Sequence, residues 1–290
     1  MELACTAYLY TSTLKRTGLF LLYNNHLLQE QELQVPVSDR AFQYNDGFFE
    51  TAIIADGRLR FWAQHQQRMQ EAAEALQLQV PPYFFDTAFE EQLLALARHE
   101  AADRYGRLKL KVWRAGAGLY TPNTNAVNWL ATAQPASPAP YTPLHIGVCR
   151  NVHTVPTPLS QVKGPNAPLY VLAGLEKQAQ QKDDLLLLSA AGMVSEMISS
   201  NVFWLRENVL YTPALETGCV KGILRRNIIG WCQSQGIACQ EVKHAPEQLL
   251  QAEAVFAANV TGIRGVASIN GAPVRQQESF LTMLRQDLHL

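Results

Sequence analysis

No stretch of this chain approaches the roughly 18 consecutive apolar residues of a membrane span, so no membrane role is expected. An excess of one charge sign is also missing. The 24 basic and 25 acidic side chains leave a formal net charge of −1, which argues against a general nucleic-acid binder. Cysteine is scarce and scattered. Cys5, Cys149, Cys219, Cys232 and Cys239 are odd in number and form no C-x-x-C pair. They read as reduced cytoplasmic thiols, with neither a disulfide frame nor a metal site. The N-terminus lacks a basic start followed by a clean apolar core, and Lys15 and Arg16 come too late for a secretory signal. What remains is a chain of 290 residues, 48% hydrophobic and 17% charged. That suits one large domain or two ordinary ones with a substantial core.

Turn chemistry organises the first half. LFLLY, then Asn24-Asn25, then HLL reads as a hairpin, because Asn tolerates the left-handed turn conformation. A second hairpin follows in FETAIIADGRLRFW, with Asp56-Gly57 at its turn. Helices are expected from Ala63 to Leu78, with Met69, Ala72, Ala73 and Leu76 on one face, and from Phe85 to Ala102. RLKLKVWRAG and NAVNWLATAQ read as strands. ASPAPYTP, with three prolines and little apolar bulk, is the best candidate boundary. Beyond it the pattern restarts: strand LHIGVCRN, a Pro-rich loop, helix LYVLAGLEKQAQQK and strand DLLLLSAAGMVSE. The hairpin VFWL–NVLYTP follows, then helix GILRRNIIGWCQSQG, a helix at PEQLLQAE and strand AVFAANV. The expected division is an extension over 1–17, a smaller domain over 18–136, a linker over 137–142 and a larger domain over 143–290.

Lys163 stands on an irregular segment entering a helix, where burial can lower an amine pKa and free a nucleophile. That context alone fits a structural or solvated lysine better. The surrounding motifs change the balance. VKGPNAPLYVLAGLEKQAQ resembles the segment around the Schiff-base lysine of fold-type IV (class IV) pyridoxal-phosphate enzymes. GMVSEMISSNVF resembles that family's G-x-V-[ST]-E-x-x-x-S-N-[IVL]-F, and YTPALETGCVKGILR its Y-T-P-x-L-x-x-G-[IV]-x-G-[IV]-x-R. SDRAFQYNDGFFET and HQQRM match two further family patterns on the N-terminal side. Order and spacing agree from about Leu19 to Ala267.

The resemblance implies an α+β, two-domain fold similar to D-amino-acid and branched-chain aminotransferases, with pyridoxal 5′-phosphate at the domain interface. It makes Lys163 the lysine that carries the cofactor and moves the substrate proton. It makes Glu196 the acid that pairs with the pyridine nitrogen; a carboxylate beside that cation keeps the ring protonated. Arg68 matches the arginine that grips the cofactor phosphate, a charge-assisted contact of about 1.5–3 kcal/mol. Gly222, Ile223 and Leu224 match the helix start whose N–H groups meet that phosphate, although Leu224 has no hydroxyl where Thr is commoner. Asn259, Val260 or Thr261 supplies the second phosphate turn. Glu50 and Arg114 fall at substrate-side positions, where a strand residue and a strand end are equally good readings. His65 is expected to be structural. Asp39-Arg40 and Asn45-Asp46-Gly47 are expected to shape a loop and a dimer contact, with Asn45 in the left-handed region.

The family includes branched-chain and D-amino-acid transaminases as well as 4-amino-4-deoxychorismate lyase, which releases pyruvate and the folate precursor 4-aminobenzoate. The segment NVFWLRENVLYTPALETGCVKGILR and the bulky Leu224 lean towards the lyase. A transaminase and a catalytically inactive binding relative stay open. The resemblance further implies a homodimer acting on a small molecule.

Overall fold

In the computed structural model, residues 18–290 are described; the expected 1–17 extension and Cys5 lie outside them. A first sheet is built from β1 (Phe20–Tyr23), β2 (His26–Gln29), β3 (Gly47–Ala55), β4 (Arg58–Leu59), β5 (Tyr105–Arg114) and β6 (Val127–Pro135). Its order is β2-β1-β6-β5-β3-β4, and every pairing in it is antiparallel. Helices α1 (Arg40–Tyr44), α2 (Trp62–Leu76) and α3 (Thr87–His99) accompany it. Both expected hairpins form: Asn24, Asn25, Asp56 and Gly57 all take positive φ, which matches the right-handed strand twist. Asn45 caps α1 in the left-handed region at φ 52°.

The second sheet holds β7 (Leu144–Val148), β8 (Asp184–Leu188), β9 (Val194–Met197), β10 (Asn201–Arg206), β11 (Val209–Pro213), β12 (Ala238–Val242), β13 (Ala254–Asn259), β14 (Gly262–Ile269) and β15 (Ala272–Pro273). The order is β12-β11-β10-β13-β14-β7-β8-β9, with β15 on β14. It mixes parallel pairs, such as β7–β8, with antiparallel ones. Its helices are α4 (Ala167–Ala179), α5 (Ile223–Gln235), α6 (Glu247–Leu250) and α7 (Glu278–Asp287). Two mixed layers of strand and helix are the α+β class expected.

One sequence reading is corrected. DLLLLSAAGMVSE is two antiparallel strands, β8 and β9, not one. Gly192 N donates to Ser189 O at 2.8 Å and Ser189 N to Met193 O at 2.7 Å, closing a turn inside the run. Small residues in S-A-A-G make that reversal cheap. Sequence reading also overlooked β12, β14 and α7; the amphipathic α7 buries Leu281 and Leu284 in a core with Phe256 and Ile263.

Strand alternation positions the site. On β3, Phe48, Ala52 and Ile54 join Leu108, Leu110 and Val112 of β5 in the core with α2 and α3 residues. The opposite alternation carries Phe49 and Thr51, registered against Lys111 and Lys109, with Arg107 further along. Period-2 geometry puts these on the other face of the sheet. Among the described residues no helix is long and apolar enough to cross a membrane.

Candidate active site

A cavity of about 540 Å³ collects residues from both sheets, and Lys163 and Glu196 line it together. The lysine segment is strapped to the start of β3. Phe49 N donates to Lys163 O at 2.9 Å, and Asn45 Nδ2 donates to Gly164 O at 3.0 Å. Gly164 is required there: a Cβ would stand 3.1 Å from Phe48 Cα, at a φ of +141°. The Lys163 amine lies 5.2 Å from the centroid of the Phe49 ring. Burial and the charges of Arg68 and Arg107 push that amine below the usual lysine range, against the pull of Glu50 and Glu196. A lysine so placed reaches its neutral, nucleophilic form more readily.

Glu196 projects from β9 and is 3% exposed. Tyr170 of α4 donates its hydroxyl to Oε1 at 2.7 Å, and Val220 N donates to Oε2 at 3.1 Å. Burial raises the carboxyl to about 7 despite those two bonds and the nearby Lys163. A buried acid with no cation in contact is a strained arrangement that a cationic ligand would relieve. Burial and Glu196 push the Tyr170 phenol up, which keeps it a donor.

The anion-binding side is equally defined. Gly222 caps α5 without a side chain, and Gly222, Ile223 and Leu224 line the cavity. The first-turn N–H groups of a helix lack internal partners and carry partial positive charge. A Cβ on Gly222 would fall 2.0 Å from Asn201 Oδ1, and Asn201 is held by its Nδ2 bond to Val220 O at 2.8 Å. The Leu224 side chain is spent in the core with Phe203 and Phe256, so only its backbone is free to serve a ligand. Asn259, Val260 and Thr261 line the same cavity. Asn259 ties the turn, accepting from Thr261 N at 2.9 Å and donating to Ser200 Oγ at 2.9 Å. Arg68 reaches the cavity from α2. Glu71, on the same helix, pairs with Lys221 and Arg226 at the start of α5, which docks α2 against that helix terminus.

Two expected substrate residues do not line the cavity. Glu50 shares the core-facing parity of Phe48 and Ala52, and binds Arg68 and His65. Arg114 is committed elsewhere. It donates to Asp46 at 3.0 Å, Leu76 O at 2.6 Å and Gln77 O at 3.3 Å, and also to Asn125, so it caps the carbonyl end of α2. In its place Arg107 faces the cavity. Sequence reading passed over Arg107, Tyr170 and Asn201. The R-L-K-L-K alternation marked Arg107 as lying opposite the core, but nothing local told what covers that face. Among the described residues no group of three or more His, Cys, Asp or Glu could hold a metal ion.

A buried lysine, a buried acid awaiting a cation and a glycine-opened helix terminus fit a phosphorylated pyridine aldehyde. Comparison with known proteins agrees. The profile of the amino-transferase class IV family matches residues 47–269. An aminodeoxychorismate lyase of Vibrio harveyi is 28% identical over 246 residues, 83% of this chain and 88% of the relative. A probable branched-chain-amino-acid aminotransferase of Rickettsia felis is 27% identical over 230 residues, 78% of each. The branched-chain aminotransferase of Thermoproteus uzoniensis, crystallised with norvaline, superposes with a TM-score of 0.85 at 20% identity over 94% of each chain.

Proposed function

We propose, from the premise that this chain belongs to the class IV aminotransferase family of pyridoxal 5′-phosphate-dependent enzymes, that it is a lyase splitting 4-amino-4-deoxychorismate into pyruvate and 4-aminobenzoate. The observation that carries this reading is a cationic residue lining the cavity, Arg107, with a second cation, Lys109, on the same strand face against the lining residue Phe49. Lys109 lies 5.2 Å from the Phe49 ring that Lys163 also approaches. Among the described residues neither Arg107 nor Lys109 makes an ion pair. Both products of the lyase reaction carry a carboxylate, so its substrate carries two. A branched-chain amino acid carries one, and an aliphatic side chain that gains nothing from a second cation.

When bound, the cofactor would supply an electron sink beside the substrate amine. The chain's own residues supply the rest. Lys163 holds the cofactor and takes the proton from the substrate ring. Glu196, ionised opposite the ring cation and steadied by Tyr170 and Val220 N–H, keeps that cation in place. Arg68, the α5 start and the Asn259–Thr261 turn hold the phosphate. Arg107 and Lys109 orient the substrate carboxylates, and the apolar Phe49 and Ile198 wall limits water.

A transaminase is the second reading, favoured by the Rickettsia relative. The two separate on one experiment. Given aminodeoxychorismate and no 2-oxo acid, the purified enzyme should release pyruvate and 4-aminobenzoate over many turnovers. Turnover only with an amino acid and a 2-oxo acid, and none with aminodeoxychorismate, would overturn the lyase reading.

A homodimer belongs to the same proposal. Val171, Leu172 and Leu175 of α4 stand 52–62% exposed on a helix whose Tyr170 lines the cavity, and Phe42, Leu119 and Tyr120 are more exposed still. Exposed apolar surface of this kind is a natural subunit contact.

A further inference from the structure

Glu50, His65 and Arg68 form a buried cluster whose members are almost wholly removed from solvent. Arg68 Nε donates to Glu50 Oε1 at 2.8 Å and Nη2 to Oε2 at 2.5 Å. His65 Nδ1 lies 2.5 Å from the same Oε2. Burial would raise the Glu50 carboxyl, but Arg68 and His65 outweigh it and hold the group down at about 2. It is therefore ionised and only accepts, so Nδ1 carries the shared hydrogen. His65 and Arg68 are three residues apart on α2, which places both on one helix face.

The two ends of the cluster serve different sides. Glu50 points with the core residues of β3, whereas Arg68 lines the cavity. A two-point grip through Nε and Nη2 fixes the plane of a guanidinium and leaves Nη1 for a ligand. A free arginine on a helix would sample many rotamers and would have to be ordered by each ligand it bound. We propose that Glu50, backed by His65, is a positioning residue for the cofactor phosphate: it locks Arg68 with one N–H edge turned into the cavity. The inference rests on the reading of Arg68 as a phosphate ligand. Glu50 also opposes the effect of Arg68 on the Lys163 amine.

The test compares two probes on the full-length protein, pyridoxal 5′-phosphate and phosphate-free pyridoxal, each titrated through the visible absorption band. Wild type should bind the phosphorylated form far more tightly. Glu50→Gln introduces an amide N–H that faces one of the two donors, so it cannot hold both. It should reduce the preference for the phosphorylated probe at least tenfold while changing the pyridoxal Kd less than threefold. The pH midpoint of the band should shift downward, because Glu50 then no longer offsets Arg68 beside Lys163 and only Glu196 does. His65→Asn should move the ratio the same way by a smaller factor, and it decides the matter alone if Glu50→Gln does not fold. Equal weakening of both probes would mean a merely structural role and would overturn the proposal. Arg68→Gln separates the two claims. If it leaves the ratio intact, the phosphate reading of Arg68 fails and the positioning role with it. If it collapses the ratio and Glu50→Gln does not, only the positioning role fails.

Discussion

Two side chains, Lys163 and Glu196, hold most of the chemical information, and each can be tested by itself. Borohydride reduction of the holoenzyme, digestion and mass spectrometry should place the cofactor on the peptide containing Lys163. Recovery on Lys177, Lys182 or Lys221 would refute the assignment. Glu196 makes stability depend on pH. Its carboxyl moves from the ordinary 4.5 to about 7 in the cofactor-free fold, so the folded state holds the proton more tightly than the unfolded one. The resulting stabilisation is fully present below about 4.5 and is lost as pH rises through about 7, a span of roughly 3 kcal/mol. Cofactor-free wild type should therefore lose more thermal stability between pH 5 and 8 than Glu196→Gln. Bound cofactor should shrink that difference, because a ring cation favours the ionised acid. Parallel melting curves for the two proteins would contradict the assignment.

At the scale of elements, the start of α5 joins fold to chemistry. Its first turn offers donors only because residue 222 lacks a side chain and Asn201 fills the space beside it. Gly222→Ala is expected to push Asn201 off Val220 O and crowd the helix entrance. Overpacking of this kind costs about 1–3 kcal/mol, and the cofactor Kd should rise tenfold or more. A variant that binds cofactor normally would show that the phosphate lies elsewhere. The junction of α2 with α5 should be softer. Glu71→Ala removes ion pairs to Lys221 and Arg226 that are partly exposed, so stability should fall by less than about 1 kcal/mol. Its effect should show in cofactor retention on dilution, since α2 carries Arg68.

For the whole molecule, the site draws on both sheets, and the apolar patches beside it remain uncovered in a single chain. Light scattering is expected to report about twice the 32.3 kDa chain mass, and Leu172→Asp should shift the population towards one chain. Full activity from a species of one chain across a concentration series would reject the dimer. The cation pair on β5 belongs to this scale too. Arg107 and Lys109 matter only because the lysine segment and the α5 start lie across from them.

What the sequence by itself determined was local: turns, hairpins, most helices and the motifs that mark Lys163, Glu196, Arg68 and the Gly222 helix start. These depend on backbone preferences and short-range spacing, which neighbouring residues carry in full. The parity of β3 was not legible, because apolar residues fall on both alternations (Phe48 and Phe49, Ile53 and Ile54), so Glu50 read equally well as a substrate-side or a strand residue. Only the tertiary structure decided which of the remaining polar residues serve the site. Arg107 and Arg114 sit on one strand seven residues apart, so alternation puts them on opposite faces without saying what covers either face. One faces a cavity because the second sheet lies beyond it, and the other is consumed by the carbonyls at the end of α2. The fate of a long charged side chain is set by the groups within its reach, and those come from segments far away along the chain.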